Sequence, residues 1–455
     1  MTAEKTQRSS VSPEIKLLED IGLRQFTPNE IHAAHAQLAQ AFEVGITRSG
    51  LPTTEDGGIP AVKTGVEPIT ADAYDRVPDG RVLGGSYGGT SWYTGIIAKE
   101  GPITNVEIIN NGATPHSRVD TRESFVERIG NHVLGGAVDR DISDIRAVGA
   151  SCGFEQTNSH HTRGIDAQIH VQPSNWKITD LDTSLTPEQQ PYLGEELLRY
   201  LSYQGAPQIK EVYFQNDTNA VVHDVATNAS DVVLPLGFVF GTGSNAALRD
   251  INTQASSVNL FGKDAVYQEM VDLGYVPAKP QMKLWMGGER IAYRVAAGMK
   301  LLAKEGLVRD TTADEVARMI RENGKGLIIS NILNGQLSYD ALLQEGIPLT
   351  FSEYQLLKQS SQASLNQAGQ AIGVMMATAI EATGHTSGKA KVPVEGSVFW
   401  KAHGVRDVAQ ETVKLLLPEV DLLPYEASGL QGIGKLALTY SHAKMSTPEE
   451  TVFQQ

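Results

Sequence analysis

The sequence predicts an α/β protein made of two related halves with a cleft between them. Three observations carry this expectation. Runs of β-type sequence alternate with helical ones, the pattern of layered α/β architecture. Each half opens with strands around a glycine-rich turn, Gly88-Gly89-Thr90-Ser91 in the first and Gly241-Thr242-Gly243-Ser244-Asn245 in the second. Between the turns, the apolar run 209–214 ends in Gln215-Asn216-Asp217-Thr218-Asn219, an aspartate at the tip of a strand leading into a helix. Backbone N–H groups in such turns can hold phosphate oxygens. One acid between two phosphate-type turns points to phosphoryl transfer.

Along the chain, residues 1–12 are polar and read as a loose tail. The first strong helix has Thr27 to cap it, Pro28 at its first position and Glu30 to complete a capping box, with Phe26 and Ile31 placed for a hydrophobic staple. It should run to about Val44 and stop at Gly45. Residues 49–79, rich in Gly, Pro and Thr, read as a long connection. Runs 80–87, 91–99 and 103–110, joined by short turns, predict a meander. A helix at 121–138 and a strand at 145–151 follow. Residues 151–180, polar and carrying His160-His161, read as irregular. A helix at 188–204 leads to the strand 209–214. The second half predicts a strand at 232–240 before its glycine turn, with returning strands within 246–260. Helices follow at 265–273, 282–305, 312–322 and 352–382. Strand 391–394, helix 405–417, strand 422–425 and helix 432–440 close the chain. The expected organisation is a tail over 1–12, a small domain over 76–215, and a large domain from 13–75 with 216–455.

A chain of 455 residues exceeds the usual size of one core. Its 41% apolar and 20% charged content describe an ordinary globular protein that needs no disulfide or metal staple. A net charge of −15 argues against sequence-independent nucleic-acid binding, which needs a basic face, but not against an anionic nucleotide as a partner. Cys152 is the only cysteine, which excludes a disulfide framework or a cysteine metal site. Residues 1–12 lack the apolar core of a signal peptide, and the longest apolar run, 232–240, is too short for a bilayer and contains Pro235. A soluble, cytoplasmic protein with no membrane partner is expected.

The order of several motifs resembles the hexokinase family of sugar kinases, over about residues 26–438. Ser86-Tyr87-Gly88-Gly89-Thr90-Ser91 sits where the family has Asp-x-Gly-Gly-Thr-Asn, and Gly57-Gly58-Ile59-Pro60 to Pro68 looks like its lead-in. Ser151-Cys152-Gly153-Phe154-Glu155-Gln156-Thr157 is similar to the sugar-binding Ser-Phe-Pro-x-x-Gln-Thr. Asn216-Asp217-Thr218 matches the catalytic Asn-Asp-Thr, and Gly241-Thr242-Gly243-Ser244-Asn245-Ala246 matches the second phosphate turn. Val394-Glu395-Gly396-Ser397-Val398 resembles the adenosine-side Val-Asp-Gly-Ser-Val, and Ala427-Ser428-Gly429-Leu430-Gln431-Gly432 the final glycine turn.

The resemblance implies the two-lobed, duplicated actin-like ATPase (ribonuclease H-like) fold, with ATP as phosphoryl donor, Mg2+ and a small-molecule acceptor. Phosphoryl transfer needs the donor held by N–H groups and a metal, and a base within reach of the acceptor hydroxyl. Asp217 would be that base. Ser151, Asn216, Asn245 and Gln156 would position the acceptor. Gly88, Gly89, Thr90, Ser91, Gly241, Thr242 and Gly243 would hold phosphates, with Gly396, Ser397 and Gly429 on the adenosine side.

The departures lie mostly in the sugar pocket. Ser86 stands where the family has the aspartate that organises magnesium-bound water. Pro173-Ser174 falls at the family's sugar-binding Thr-Lys pair. The two sugar-binding glutamates fall near Gln254 and near Met282 or Lys283. An acceptor other than plain glucose is expected, with Ser174, Gln254, His160, His161 and Arg163 as further candidates for reading it.

Structural roles compete with these readings. Asp217 is also a good helix N-cap, and glycine turns occur wherever φ > 0 is needed. Adjacent His160-His161 fit a solvated loop, Met375-Met376 a core stripe, and Cys152 packing. A catalytically silent ligand- or nucleotide-binding sensor is the alternative from another class, motivated by Ser86. Gly149-Ala150-Ser151-Cys152-Gly153 also fits a serine-hydrolase elbow, which a helix must follow at once; the polar sequence after it shows no helical stripe.

Overall fold

The computed structural model describes residues 13–48, 59, 61–88, 91–113, 119–153, 156–161, 163–169, 177–178, 192–225, 233–241, 243–253, 255–276, 281–323 and 326–446. The chain divides into two compact units. One comprises Met1–Ala34, Val258–Val374 and Ser397–Thr412; the other comprises His35–Ser257, Met375–Gly396 and Val413–Gln455. No helix among the described residues is long and apolar enough to cross a membrane.

The second unit holds the sheets. Its strands are β1 (Ala61–Lys63), β2 (Gly80–Tyr87), β3 (Ser91–Glu100), β4 (Ile103–Ala113), β5 (Val119–Asp120), β6 (Ala147–Cys152), β7 (Gln156–His161), β8 (Gly164–Ile169), β9 (Lys177–Ile178), β10 (Glu211–Asn216), β11 (Leu236–Phe240), β12 (Ser244–Leu248), β13 (Ile251–Thr253), β14 (Gly388–Glu395) and β15 (Val420–Glu426). One sheet has the order β4-β3-β2-β6-β10-β8-β7 and the other β1-β13-β12-β11-β14-β15, with β5 and β9 as a separate pair. In the first, β2, β6, β10 and β8 run parallel, while β3 and β4 form the expected meander.

β10 lies inside its sheet, and its apolar residues 212–214 are buried on both faces. Val212 and Phe214 face a cluster with Phe125, Ile129, Leu197 and Leu201. Tyr213 faces the opposite cluster with Ile433, Leu436 and Ala437 of helix Gly429–Ser446. That helix sits close because glycines line the sheet: a Cβ on Gly149 would lie 2.9 Å from the backbone oxygen of Ile433.

The first unit is helical among its described residues. The capping box forms as expected: Thr27 N–H donates to Glu30 at 2.8 Å, and Glu30 N–H to Thr27 Oγ1 at 3.3 Å. At the centre of the unit, the guanidinium of Arg294 lies 3.7 Å over the Trp285 ring. It donates to Asp264 at 2.7 Å, to Gln367 at 3.2 Å and to the Gly22 carbonyl at 3.3 Å.

Several elements depart from the expectation. The helix from Pro28 continues through Gly45 to Arg48. Gly45 is there for space, since a Cβ would lie 2.5 Å from Ile59. The segment 282–305 is broken by the extended Gly287 (ψ 130°) into Lys283–Met286 and Gly288–Lys304. Residues 156–169, read as irregular, form the β7–β8 hairpin. Helices Pro13–Ile21, Leu327–Leu333 and Tyr339–Gln344 were not anticipated.

Candidate active site

Strands β2, β6 and β10 end together. Their register sets Ser86 opposite Ser151 and Ser151 opposite Gln215, then Tyr87 opposite Cys152 and Cys152 opposite Asn216. The carboxyl ends of parallel strands are where open α/β sheets present ligand-binding groups. β10 passes at once into helix Asp217–Val222. Asn216 makes the turn: its backbone is extended, and its side-chain oxygen accepts from Thr218 N–H at 2.9 Å and Asn219 N–H at 3.4 Å. Asn216 is therefore the N-cap, and Asp217 is the first helical residue.

That leaves the Asp217 carboxylate for other work. Its Oδ1 accepts from the backbone and side chain of Thr218, at 2.7 and 3.2 Å. Its Oδ2 lies 3.1 Å from where a Cβ on Gly153 would sit. Gly153 N–H in turn donates to Tyr87 O at 3.3 Å, at the foot of the first glycine turn. Burial raises the carboxyl pKa of Asp217, against the opposing Thr218 hydrogen bonds. A raised pKa suits a group that must accept a proton near neutral pH.

A second acid comes from the other sheet. β14 ends at Glu395, beside Val239 of β11. Gly396 follows with φ +123°, and a Cβ there would lie 2.1 Å from Phe240 O, so glycine is obligatory. This contact ties Glu395 to the start of the second glycine turn, where Gly241 N–H donates to Gly243 O at 2.9 Å. Open space faces that turn: Cβ atoms on Gly241 or Gly243 would meet nothing within 4 Å.

The groups converge on Gly429. Its N–H donates to Glu395 Oε2 at 2.9 Å. A Cβ there would lie 3.1 Å from that oxygen, 3.3 Å from Ser151 Oγ and 3.4 Å from the Asp217 backbone oxygen. Ser151 is fully buried, and its Oγ has no hydrogen-bond partner among the described residues. Burial pushes the Glu395 carboxyl up to about 7, helped by the negative charges of Asp217 and Asp224 and opposed by the Gly429 N–H. A buried ion pair steadies this corner. Lys435 meets Asp224 at 2.8 Å and Val225 O at 2.7 Å, while Asp224 accepts from Ser428 N–H at 2.8 Å.

The structure brings together Asp217, Asn216, Ser151 and Gly429, and it ties Gly396 to the Gly241–Gly243 turn. Gly88 closes its own turn by donating to Ser91 O at 3.2 Å. Asn245 is half-buried, and its amide donates to Asn252 at 2.6 Å. Ser397 is exposed and opens helix Ser397–Lys401. Gln156 is buried; with its amide oxygen turned inward it accepts from Asn216 and Gln215 N–H groups, at 3.0 and 3.1 Å. It supports the end of β10.

His160, His161 and Arg163 are not brought to Asp217. They lie at the β7–β8 turn, where Gly164 pairs with Val212, at the opposite end of β10 from Asn216. A polar hairpin satisfied by neighbouring backbone lacks the apolar alternation that would have shown its direction. Gly89, Thr90, Ser174, Thr242 and Gln254 lie outside the described residues. The hydrolase reading fails on geometry: strands β7 and β8 follow Ser151, and no base among the described residues reaches its hydroxyl. Burial and the Asp217 charge push the Cys152 thiol well up, which keeps it protonated and in a packing role. Sequence reasoning passed over Glu395, although the motif that supplied Gly396 contains it.

No protein-family model matches the chain, and no curated protein does. Solved structures do. The hexokinase from Schistosoma mansoni complexed with glucose matches with a TM-score of 0.74 at 12% identity, over 94% of this chain and 98% of that one. A second hexokinase crystal structure matches with a TM-score of 0.72 at 13% identity, over 95% and 99%. The chain thus has the α/β, actin-like ATPase class of fold expected from its motifs. Within that class it is similar to the hexokinases, at an identity low enough to mark it as divergent.

Proposed function

We propose that this chain is an ATP-dependent kinase that transfers a phosphoryl group to a hydroxyl of a sugar or sugar-like small molecule. The observation that carries the reading is Asp217, spared from capping by Asn216 and set where the ends of β2, β6 and β10 meet Glu395 and Gly429. Asp217 takes the proton of the acceptor hydroxyl as that oxygen attacks the terminal phosphorus, which typically contributes roughly 10²–10⁴-fold. Ser151 Oγ, buried without a partner, positions that hydroxyl. The open space beside Gly241 and Gly243 would admit phosphate oxygens close to backbone, and Gly396 and Gly429 would lie on the adenosine side.

Mg2+ fits this donor set. It uses one or two carboxylates and fills its octahedron with water and phosphate oxygens, and Glu395 would offer one beside Gly429. When bound, the ion would neutralise charge on the transferred group. The sugar-pocket replacements support an acceptor other than plain glucose. The competing reading, binding without turnover, rests on Ser86 in place of an aspartate.

A panel of hydroxylated acceptors, followed by ATP consumption, tests the proposal. Turnover is expected with at least one acceptor, and weak or none with glucose. Efficient glucose phosphorylation, with a KM of roughly 1 μM–1 mM, overturns the acceptor reading. Tight ATP binding without turnover on any acceptor favours the sensor.

A further inference from the structure

We propose that Glu395 anchors the divalent cation of this site, in place of the carboxylate that Ser86 lacks, and leaves Asp217 free as the base. The inference rests on the kinase reading and assigns one of its parts.

Three placements support it. Ser86 pairs directly with Ser151 across β2 and β6, so the serine at the missing-acid position neighbours the Ser151 hydroxyl. That hydroxyl is fully buried, has no hydrogen-bond partner among the described residues, and lies 3.3 Å from the spot beside Gly429 that Glu395 Oε2 also faces. A buried hydroxyl left unpaired is costly, and a hydrated ion or a phosphate oxygen would satisfy it. Glu395 itself is held at the start of the second glycine turn by Gly396, whose positive φ and contact with Phe240 O allow no other residue. Only its Oε2 is engaged, by Gly429 N–H at 2.9 Å. Its second oxygen receives no hydrogen bond among the described residues.

Charge leads to the same place. Lys435 neutralises Asp224 at 2.8 Å, whereas no ion pair among the described residues reaches Asp217 or Glu395. Glutamate is one methylene longer than the aspartate that hexokinases carry in the corresponding motif. That added reach suits the acid at the end of β14 to the role that the resemblance gives to an acid at the end of β2.

The test uses Mn2+ as probe, with the full chain and a non-hydrolysable ATP analogue, read by electron paramagnetic resonance. Glu395→Gln should weaken Mn2+ binding in the ternary complex roughly 10–100-fold, the usual cost of losing a group that holds a metal. Metal-free nucleotide affinity and melting temperature should not fall, which separates metal loss from misfolding. Adding Ser86→Asp to Glu395→Gln should recover most of the Mn2+ affinity. Mn2+ affinity unchanged within twofold in Glu395→Gln overturns the inference and leaves the kinase reading standing. A wild type that binds no nucleotide overturns both.

Discussion

Two buried charge clusters, one in each unit, are arranged to opposite ends. In the helical unit, Arg294 is nearly inaccessible, and Asp264, Gln367, the Gly22 carbonyl and the Trp285 ring all meet it. In the sheet unit, burial raises the proton affinity of both Asp217 and Glu395, and no ion pair among the described residues reaches either. Burying charge is costly unless it is paired. The first cluster is therefore a structural hub. The second keeps two acids close together at a cost that a cation can relieve, which is what a binding site for such an ion requires.

The sharpest way to break this contrast is Asp217→Asn. Loss of the base should lower turnover roughly 10²–10⁴-fold. Because the change also removes one of two repelling charges, the melting temperature should stay level or rise. Activity within threefold of wild type, in steady-state assays, would return Asp217 to a structural role.

Arg294→Ala should do the reverse. It leaves Asp264 without its partner and opens space beside Trp285, so stability should fall by about 3–5 kcal/mol. Chemical denaturation measures this, and a loss below about 1 kcal/mol would show that Arg294 is no hub.

The smallest effect is a pH dependence. Glu395 has a folded-state pKa of about 7, above its ordinary 4.5. Between those values the folded chain holds a proton that the unfolded chain has lost, so stability falls as pH rises through the window and levels off above it. Melting without divalent metal should therefore decline from pH 5 to pH 8 in wild type and less in Glu395→Gln. Parallel profiles would mean that Glu395 ionises freely in the folded state.

Much of this was legible locally. The Thr27–Glu30 box, the limits of β2, the strand before Asp217 and the turns closed by Gly88 and Gly241 follow from short-range chemistry: side chains that bond the next turn, apolar runs, and backbone N–H groups that reach a carbonyl two or three residues on. These also carried the fold class, because their order along the chain is that of the hexokinase fold. Tertiary structure decided the rest. The polar β7–β8 strands form because Asn158 donates to Phe214 O at 2.7 Å and Gly194 N–H donates to Asp166 at 2.5 Å, partners distant in the chain. Gly287 breaks the helix there, where Gly326 packs so closely that a Cβ would lie 2.1 Å from Gly288 O. Whether Asn216 or Asp217 capped the helix depended on backbone angles that their shared propensity does not separate. Glu395 meets Asp217 only because two sheets end at Gly429. Sequence determines what each residue can bond to nearby, while the charge next to a carboxylate depends on which distant strands the packed core brings alongside it.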